Sequence, residues 1–74
     1  MLGDREGVIL EIRRFDIHGS AFVDVTILFA DRSTASARLG AESVLPGIGP
    51  GDHVRVSLAM NMIVAVERSP DQED

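Results

Sequence analysis

The sequence predicts an all-β domain of five short strands curled into a small barrel, with one short helical turn between strands three and four. Two observations lead to this prediction. Five runs of the chain alternate apolar and polar residues at the two-residue period of a half-buried strand. Turn-forming glycine, proline and polar residues separate these runs, and no heptad, repeat or linker interrupts the series.

The first three strands are predicted over residues 7–15, 21–29 and 34–39. We expect the inward side chains to be Val8, Leu10 and Ile12 in the first strand, Val23, Val25, Ile27 and Phe29 in the second, and Ala35, Ala37 and Leu39 in the third. Residues 16–20 join the first two strands, where Gly19 can adopt a positive φ.

The segment over residues 40–47 is too short and too poor in β-branched residues for a strand. We expect one helical turn there, which Pro46 would end. The clearest turn follows at Gly49-Pro50-Gly51-Asp52, because proline presets φ at its second position and glycine supplies the positive φ of a type II turn at its third. It leads into a fourth strand over residues 53–58, with Val54, Val56 and Leu58 inward. A fifth strand is predicted over residues 62–67.

This order of elements is that of an OB-type barrel, whose helical element lies between strands three and four. We divide the chain into a lead over residues 1–5, the OB-like barrel over residues 6–68, and an acidic disordered tail over residues 69–74.

The size of the chain points to association with another chain. A single domain of 74 residues buries only about 60% of its unfolded surface, so it needs additional stabilisation. Cysteine is absent, and His18 and His53 are the only histidines, so we expect neither disulfides nor a metal site. We also expect no signal peptide and no membrane insertion, and therefore a cytoplasmic location.

The outward face of the predicted strands carries unusual apolar residues. The predicted interface consists of Ile9, Phe22, Leu28, Met62, Ile63 and Ala65. Residues 62–66 are apolar on both faces, and a strand of this kind is normally buried on both. We therefore expect a homo-oligomer or a protein partner to cover this face. The alternative is that loops or the helical turn cover these residues.

The charge pattern bears on nucleic-acid binding. The net charge is −5 and all seven basic residues are arginine, which makes nucleic acid a less favoured partner. Phe22 is the one aromatic residue that we expect to face outward, because Phe15 and Phe29 are explained as core or strand-end packing. A barrel that binds a single strand would need arginines to converge on the face around Phe22, and the candidates that could share a face are Arg13, Arg14, Arg32, Arg38 and Arg55.

A hydroxyl-rich region could hold a small oxyanion. The candidate ligand-binding residues are Thr34, Ser36, Arg38 and Ser43. Backbone N–H groups of the helical turn would add donors. The alternative is an edge strand rich in serine, followed by a helix cap. Neither His18 nor His53 has a partner at catalytic or metal-ligand spacing, so we expect a non-catalytic binding or regulatory module without a cofactor.

Residues 34–39, 42–44, 49–56 and 62–64 together resemble the transport-associated OB domains and the small molybdate-binding proteins. The resemblance implies barrels that pair as dimers, some of which bind oxyanions at subunit contacts, with Ser43 matching the serine of that motif. Glu42 stands where a basic residue is expected before that serine. Residues 7–11, 22–23 and 51–54 also resemble the small bacterial translation initiation factor that has a cold-shock-like barrel.

Overall fold

The computed structural model describes residues 2–69, which form five antiparallel strands in a single sheet. The elements in chain order are β1 (Leu2–Ile17), β2 (Ser20–Phe29), β3 (Thr34–Gly40), a 3-10 turn (Ala41–Ser43), β4 (His53–Ala59) and β5 (Met62–Arg68). The prediction of an all-β domain with one short helical turn between strands three and four is confirmed. No helix within residues 2–69 has the length and apolar character needed to cross a membrane.

β1 is the longest strand and connects the two halves of the sheet. Its first half pairs with β4 and its second half pairs with β2, giving the strand order β3-β2-β1-β4-β5. β1 begins earlier than residue 7, its predicted first residue, because the residues from Leu2 onward already pair with β4. Part of the predicted lead therefore belongs to the sheet, whereas residues 70–74 of the predicted tail lie outside the described part of the chain.

β3 and β5 are the two edge strands, and the sheet curls enough to bring them into contact. Within residues 2–69 no ladder of hydrogen bonds joins these two strands, so the sheet is not closed. The 3-10 turn packs beside both edges. The residue after it, Val44, forms an isolated bridge to Val66, and the Leu45 N–H donates a hydrogen bond to the Val66 carbonyl at 3.1 Å.

One face of the curled sheet carries the hydrophobic core. Its buried side chains are Ile9, Val23, Val25, Ile27, Phe29, Leu39, Val54, Val56, Ile63 and Val66 from the strands, together with Val44 and Ile48 from the β3–β4 connection. The inward residues predicted for β2 are all buried. Those predicted for β3 and β4 are buried or packed against the core. These strands follow the two-residue period without interruption.

Two β-bulges, one in β1 and one in β5, make some side chains of these strands face the opposite side of the sheet from the predicted one. In β1 the pairing passes from Ile9 to Glu11, and Leu10 is the extra residue; in β5 the extra residue is Val64. A bulge resets the alternation, so the residue before it faces the core while the extra residue faces outward. Ile9 and Ile63, both predicted outward, are 1% and 7% exposed, whereas Leu10, predicted inward, is 44% exposed.

The predicted turns supply the connections that complete the core. At the type II turn the Asp52 N–H bonds the Gly49 carbonyl at 3.1 Å, and Gly51 has φ of +88° as predicted. This loop also docks on β1, because the Ile9 carbonyl accepts a bond from the Gly51 N–H at 2.8 Å. Gly19 has φ of +83° in the β1–β2 turn, again as predicted.

Candidate functional site

The side of the sheet opposite the core presents a compact group of polar and aromatic side chains on the first three strands. We call this group the outer face; it consists of Glu11, Arg13 and Phe15 of β1, Phe22, Asp24 and Thr26 of β2, and Ser36 and Arg38 of β3. Strand pairing arranges the group in three cross-strand rows. Phe15 lies opposite Phe22, Asp24 lies between Arg13 and Arg38, and Thr26 lies between Glu11 and Ser36.

The first row is an aromatic pair. The ring centroids of Phe15 and Phe22 are 6.1 Å apart and the ring planes differ by 26°, so the two rings are stacked. Both side chains are half-buried, which leaves part of the pair open to solvent. Phe22 faces outward as predicted. Phe15, for which core or strand-end packing was predicted, is a second outward ring.

The second row is an ionic unit built on Asp24. Arg38 donates two hydrogen bonds to this carboxylate, from Nε at 2.8 Å and from Nη2 at 3.2 Å. Arg13 donates one, from Nη2 at 3.3 Å. Chiefly because of the hydrogen bond from Arg38, and secondly that from Arg13, the pKa of Asp24 lies below its ordinary value. The same pairing raises the pKa of Arg38.

The first two rows are in direct contact. The guanidinium carbon of Arg38 lies 4.7 Å from the centre of the Phe15 ring, and that of Arg13 lies 4.8 Å from it. These distances are within the range of cation–π attraction. The two arginines therefore converge on Phe15, the ring that is stacked against Phe22, whereas the sequence led us to expect arginines around Phe22 itself.

The third row contributes hydroxyl groups. The Thr26 and Ser36 hydroxyl oxygens are 2.9 Å apart and hydrogen-bonded. Together with the second row and Glu11 they line a groove that Leu10 and Pro50 also line. The volume of this groove is about 890 Å³, within the range of about 300–1,000 Å³ that is common for ligand sites.

The four residues predicted to bind an oxyanion are divided between two places. Ser36 and Arg38 line the groove, and Thr34 precedes them on the same face of β3. Ser43 instead lines a separate hollow with Glu42, Pro46 and Ala65. Arg38 already bonds Asp24. Oxyanion binding by this set stays a prediction.

The six residues of the predicted apolar interface do not share one surface. Ile9 and Ile63 are in the core, as corrected above. Phe22 and Leu28 are half-buried on the outer side of β2. Met62 and Ala65 lie on β5, where Met62 is 68% exposed and Ala65 is half-buried.

The two histidines occupy different surroundings. His18 is exposed in the β1–β2 turn with φ of +50°. His53 opens β4 and lines a second hollow with Val8, Leu28 and Arg32. Across residues 2–69 no three histidine, aspartate or glutamate side chains are grouped as a metal site would require.

A separate polar cluster ties the last described residue to β1. The Ser69 hydroxyl donates to Glu6, and Arg55 Nε donates to the other Glu6 carboxylate oxygen at 3.1 Å. The pKa of Glu6 lies below its ordinary value, mainly because of the Ser69 hydrogen bond and then because of the Arg55 hydrogen bond. This cluster is structural, since it anchors the end of β5 to β1.

Comparison of this chain with protein-family models, with curated proteins and with solved structures finds no match. The fold and the site define the chain as a small all-β domain whose outer face combines a stacked aromatic pair with two arginines.

Proposed function

We propose that this chain is a non-catalytic OB-like barrel that binds single-stranded nucleic acid on its outer face. The observation that carries the proposal is the stacked pair Phe15 and Phe22, with the guanidinium groups of Arg13 and Arg38 over the Phe15 ring. Exposed aromatic rings beside arginines are the elements by which sequence-tolerant single-strand binders hold bases.

Stacking supplies most of the expected affinity. A base that stacks on an aromatic side chain contributes about 1–3 kcal/mol, and guanidinium planes also accept stacked bases. Phe22 offers its ring on β2, and Arg13 and Arg38 extend the flat surface over Phe15. The hydroxyl row of Thr26 and Ser36 adds groups that can bond sugar or base edges.

The net charge of −5 is compatible with this mode of binding. Residues 71, 73 and 74 contribute three of the twelve acidic groups and lie outside the described part of the chain. On the outer face two arginines share the carboxylate of Asp24, and a second carboxylate, that of Glu11, lies in the next row beside Thr26. We therefore expect stacking to supply most of the affinity and salt to have only a weak effect. A plot of the logarithm of the binding constant against the logarithm of the salt concentration should have a slope near −0.7, the value for about one phosphate contact.

The strand order supports the OB-like part of the proposal. In an OB barrel the sequence runs through three neighbouring strands, a helical element, and two strands that return to the first. Here β1 pairs with both β2 and β4, and β3 and β5 approach each other at the two edges. The 3-10 turn and the Val44–Val66 bridge lie at the remaining gap.

The proposal is tested by fluorescence anisotropy with labelled oligo-uridylate and oligo-deoxythymidylate of about 12 nucleotides, since one OB fold covers about 4–16. Replacing Phe22 by leucine keeps an apolar side chain and removes the ring. We expect roughly 5- to 150-fold weaker binding, which corresponds to the loss of one stacked base. Met62→Ala, an exposed change on β5, is the matched control. Wild-type protein that fails to bind, or Phe22→Leu that binds like the wild type, would refute the proposal.

Self-association is the second candidate, and exposed apolar side chains on and beside β5 favour it. Met60, Met62 and Val64 are 79%, 68% and 44% exposed. A second copy that covers them would bury apolar area and stabilise a small domain. Solution mass at two concentrations, measured beside Met62→Asp, tests this candidate. Met62 replaces Ile63 as the position to change, because a carboxylate at Ile63 would enter the core. A monomer at both concentrations would rule self-association out.

A further inference from the structure

Arg13, Asp24 and Arg38 form one hydrogen-bonded unit that carries more positive than negative charge. Three hydrogen bonds from two guanidinium groups end on the two oxygens of one carboxylate. With both arginines protonated and Asp24 ionised, the unit has a net charge of +1. The unit therefore carries one positive charge that the Asp24 carboxylate does not neutralise.

The two arginines are held unequally. Arg38 makes a two-point contact with Asp24 at 2.8 and 3.2 Å, whereas Arg13 makes a single contact at 3.3 Å. The Arg13 side chain is also the more exposed of the two, at 69% against 54%. A two-point guanidinium–carboxylate pair fixes both position and orientation, whereas a single long contact fixes neither well. Arg13 is thus the arginine that another anion can most easily draw away.

We propose that Asp24 stands where a phosphate would otherwise bind between Arg13 and Arg38, and that a phosphodiester group of the bound strand replaces it as the partner of Arg13. This inference rests on the proposed function. Arg38 remains on Asp24 and stays placed over Phe15, so Asp24 acts as a positioning residue for the stacking surface. At the same time, the carboxylate limits the outer face to one phosphate contact.

A consequence is selectivity for single strands. Duplex DNA carries one charge for about every 1.7 Å of its axis, and its binders gain affinity from many phosphate contacts. A face limited to one contact gains little from a duplex, whose bases are unavailable for stacking. A single strand offers its bases to Phe22 and to Arg38, so Asp24 favours the partner that binds through stacking.

The test compares the salt dependence of oligo-deoxythymidylate binding in the wild type, Asp24→Asn and Asp24→Asn/Arg38→Gln. Asp24→Asn keeps the shape of the side chain and frees both arginines. We expect tighter binding than wild type at about 50 mM salt and a slope near −1.4 instead of about −0.7. Between about 50 and 200 mM salt this variant then loses affinity about 7-fold, against about 2.6-fold for the wild type. The double variant has the wild-type charge excess, and its slope should return to near −0.7.

Two further variants complete the test. Asp4→Asn removes the same charge at the other end of β1, where Asp4 pairs with β4, and it should leave the slope unchanged. Arg13→Gln removes the excess cation while Arg38 stays on Asp24, so the slope should fall toward zero while binding still depends on Phe22. Thermal melts followed by circular dichroism establish that each variant is folded.

The outcomes separate the inference from the proposed function. A wild type that binds through Phe22, combined with an Asp24→Asn variant whose slope is unchanged or whose affinity falls, overturns the inference alone. A slope that Arg13→Gln leaves unaltered also overturns it. A wild type that binds no single strand overturns the proposed function and the inference with it, whatever Asp24→Asn does.

Discussion

Replacing Gly7 by alanine should severely destabilise the domain, because β1 and β2 approach each other closely at this residue. Gly7 is buried, and a Cβ added to it would lie 2.6 Å from Cγ2 of Ile27 and 2.9 Å from the Leu28 carbonyl oxygen. Non-bonded carbon atoms normally stay about 3.5–4.0 Å apart. Ile27 is fully buried, and the Leu28 oxygen belongs to the backbone of β2, so neither can move without disturbing the sheet.

We expect a cost near the upper end of the 1–3 kcal/mol that is typical of overpacking, or about 3 kcal/mol. For a domain of this size each kcal/mol lowers Tm by about 4–8 °C, so the expected decrease is about 12–24 °C. Far-UV circular dichroism during urea and thermal unfolding is the assay, since the chain has neither tryptophan nor tyrosine. Gly3→Ala is the control, because a Cβ at Gly3 on the same strand meets nothing within 4 Å. A Gly7→Ala variant within about 0.5 kcal/mol of wild type would contradict the observed pairing of β1 with β2.

Three other changes probe particular features of the structure. Ile9→Ala should cost about 2–5 kcal/mol in urea unfolding while Leu10→Ala costs no more than about 0.5 kcal/mol, and equal costs would refute the bulge. Met60→Asn should raise stability by about 0.5–1 kcal/mol, because φ of +53° suits asparagine better than methionine; a lower Tm would count against that turn. In the folded protein the pKa of Glu6 lies below its ordinary value of 4.5. The ionised Glu6 therefore contributes fully to the free energy of unfolding above pH 4.5, and this contribution is lost as the pH falls through the pKa that Glu6 has in the folded state. Glu6→Gln should therefore flatten the acid side of the stability–pH profile, and an unchanged profile would contradict the Arg55 and Ser69 contacts.

The sequence predicts most of the strands because their alternation is regular. β2 and β4 each place an unbroken series of apolar residues on the core side, and Gly19 and Gly51 mark the turns where positive φ is needed. The two bulges are hidden for a physical reason. Ile9 and Leu10 are both apolar, as are Ile63 and Val64, so the composition does not reveal which of each pair faces the core. Only pairing with the neighbouring strand decides it.

The candidate site could be predicted only in part. Once the β1–β2 turn is taken as two residues, His18 and Gly19, the antiparallel register places Phe15 opposite Phe22 and Arg13 opposite Asp24. That signal was available in the sequence. The position of Arg38 depends on the register of β2 with β3, across a longer turn whose geometry the residue types do not specify.

The central claim is that the outer face contacts the bases of a single strand. Two-dimensional amide NMR during titration with unlabelled oligo-deoxythymidylate tests it most directly, because it maps contact without a substitution. We expect the largest shifts at Phe15, Phe22, Asp24 and Arg38. Shifts that are absent, or that centre on Met62 and Val64 of β5, would contradict it.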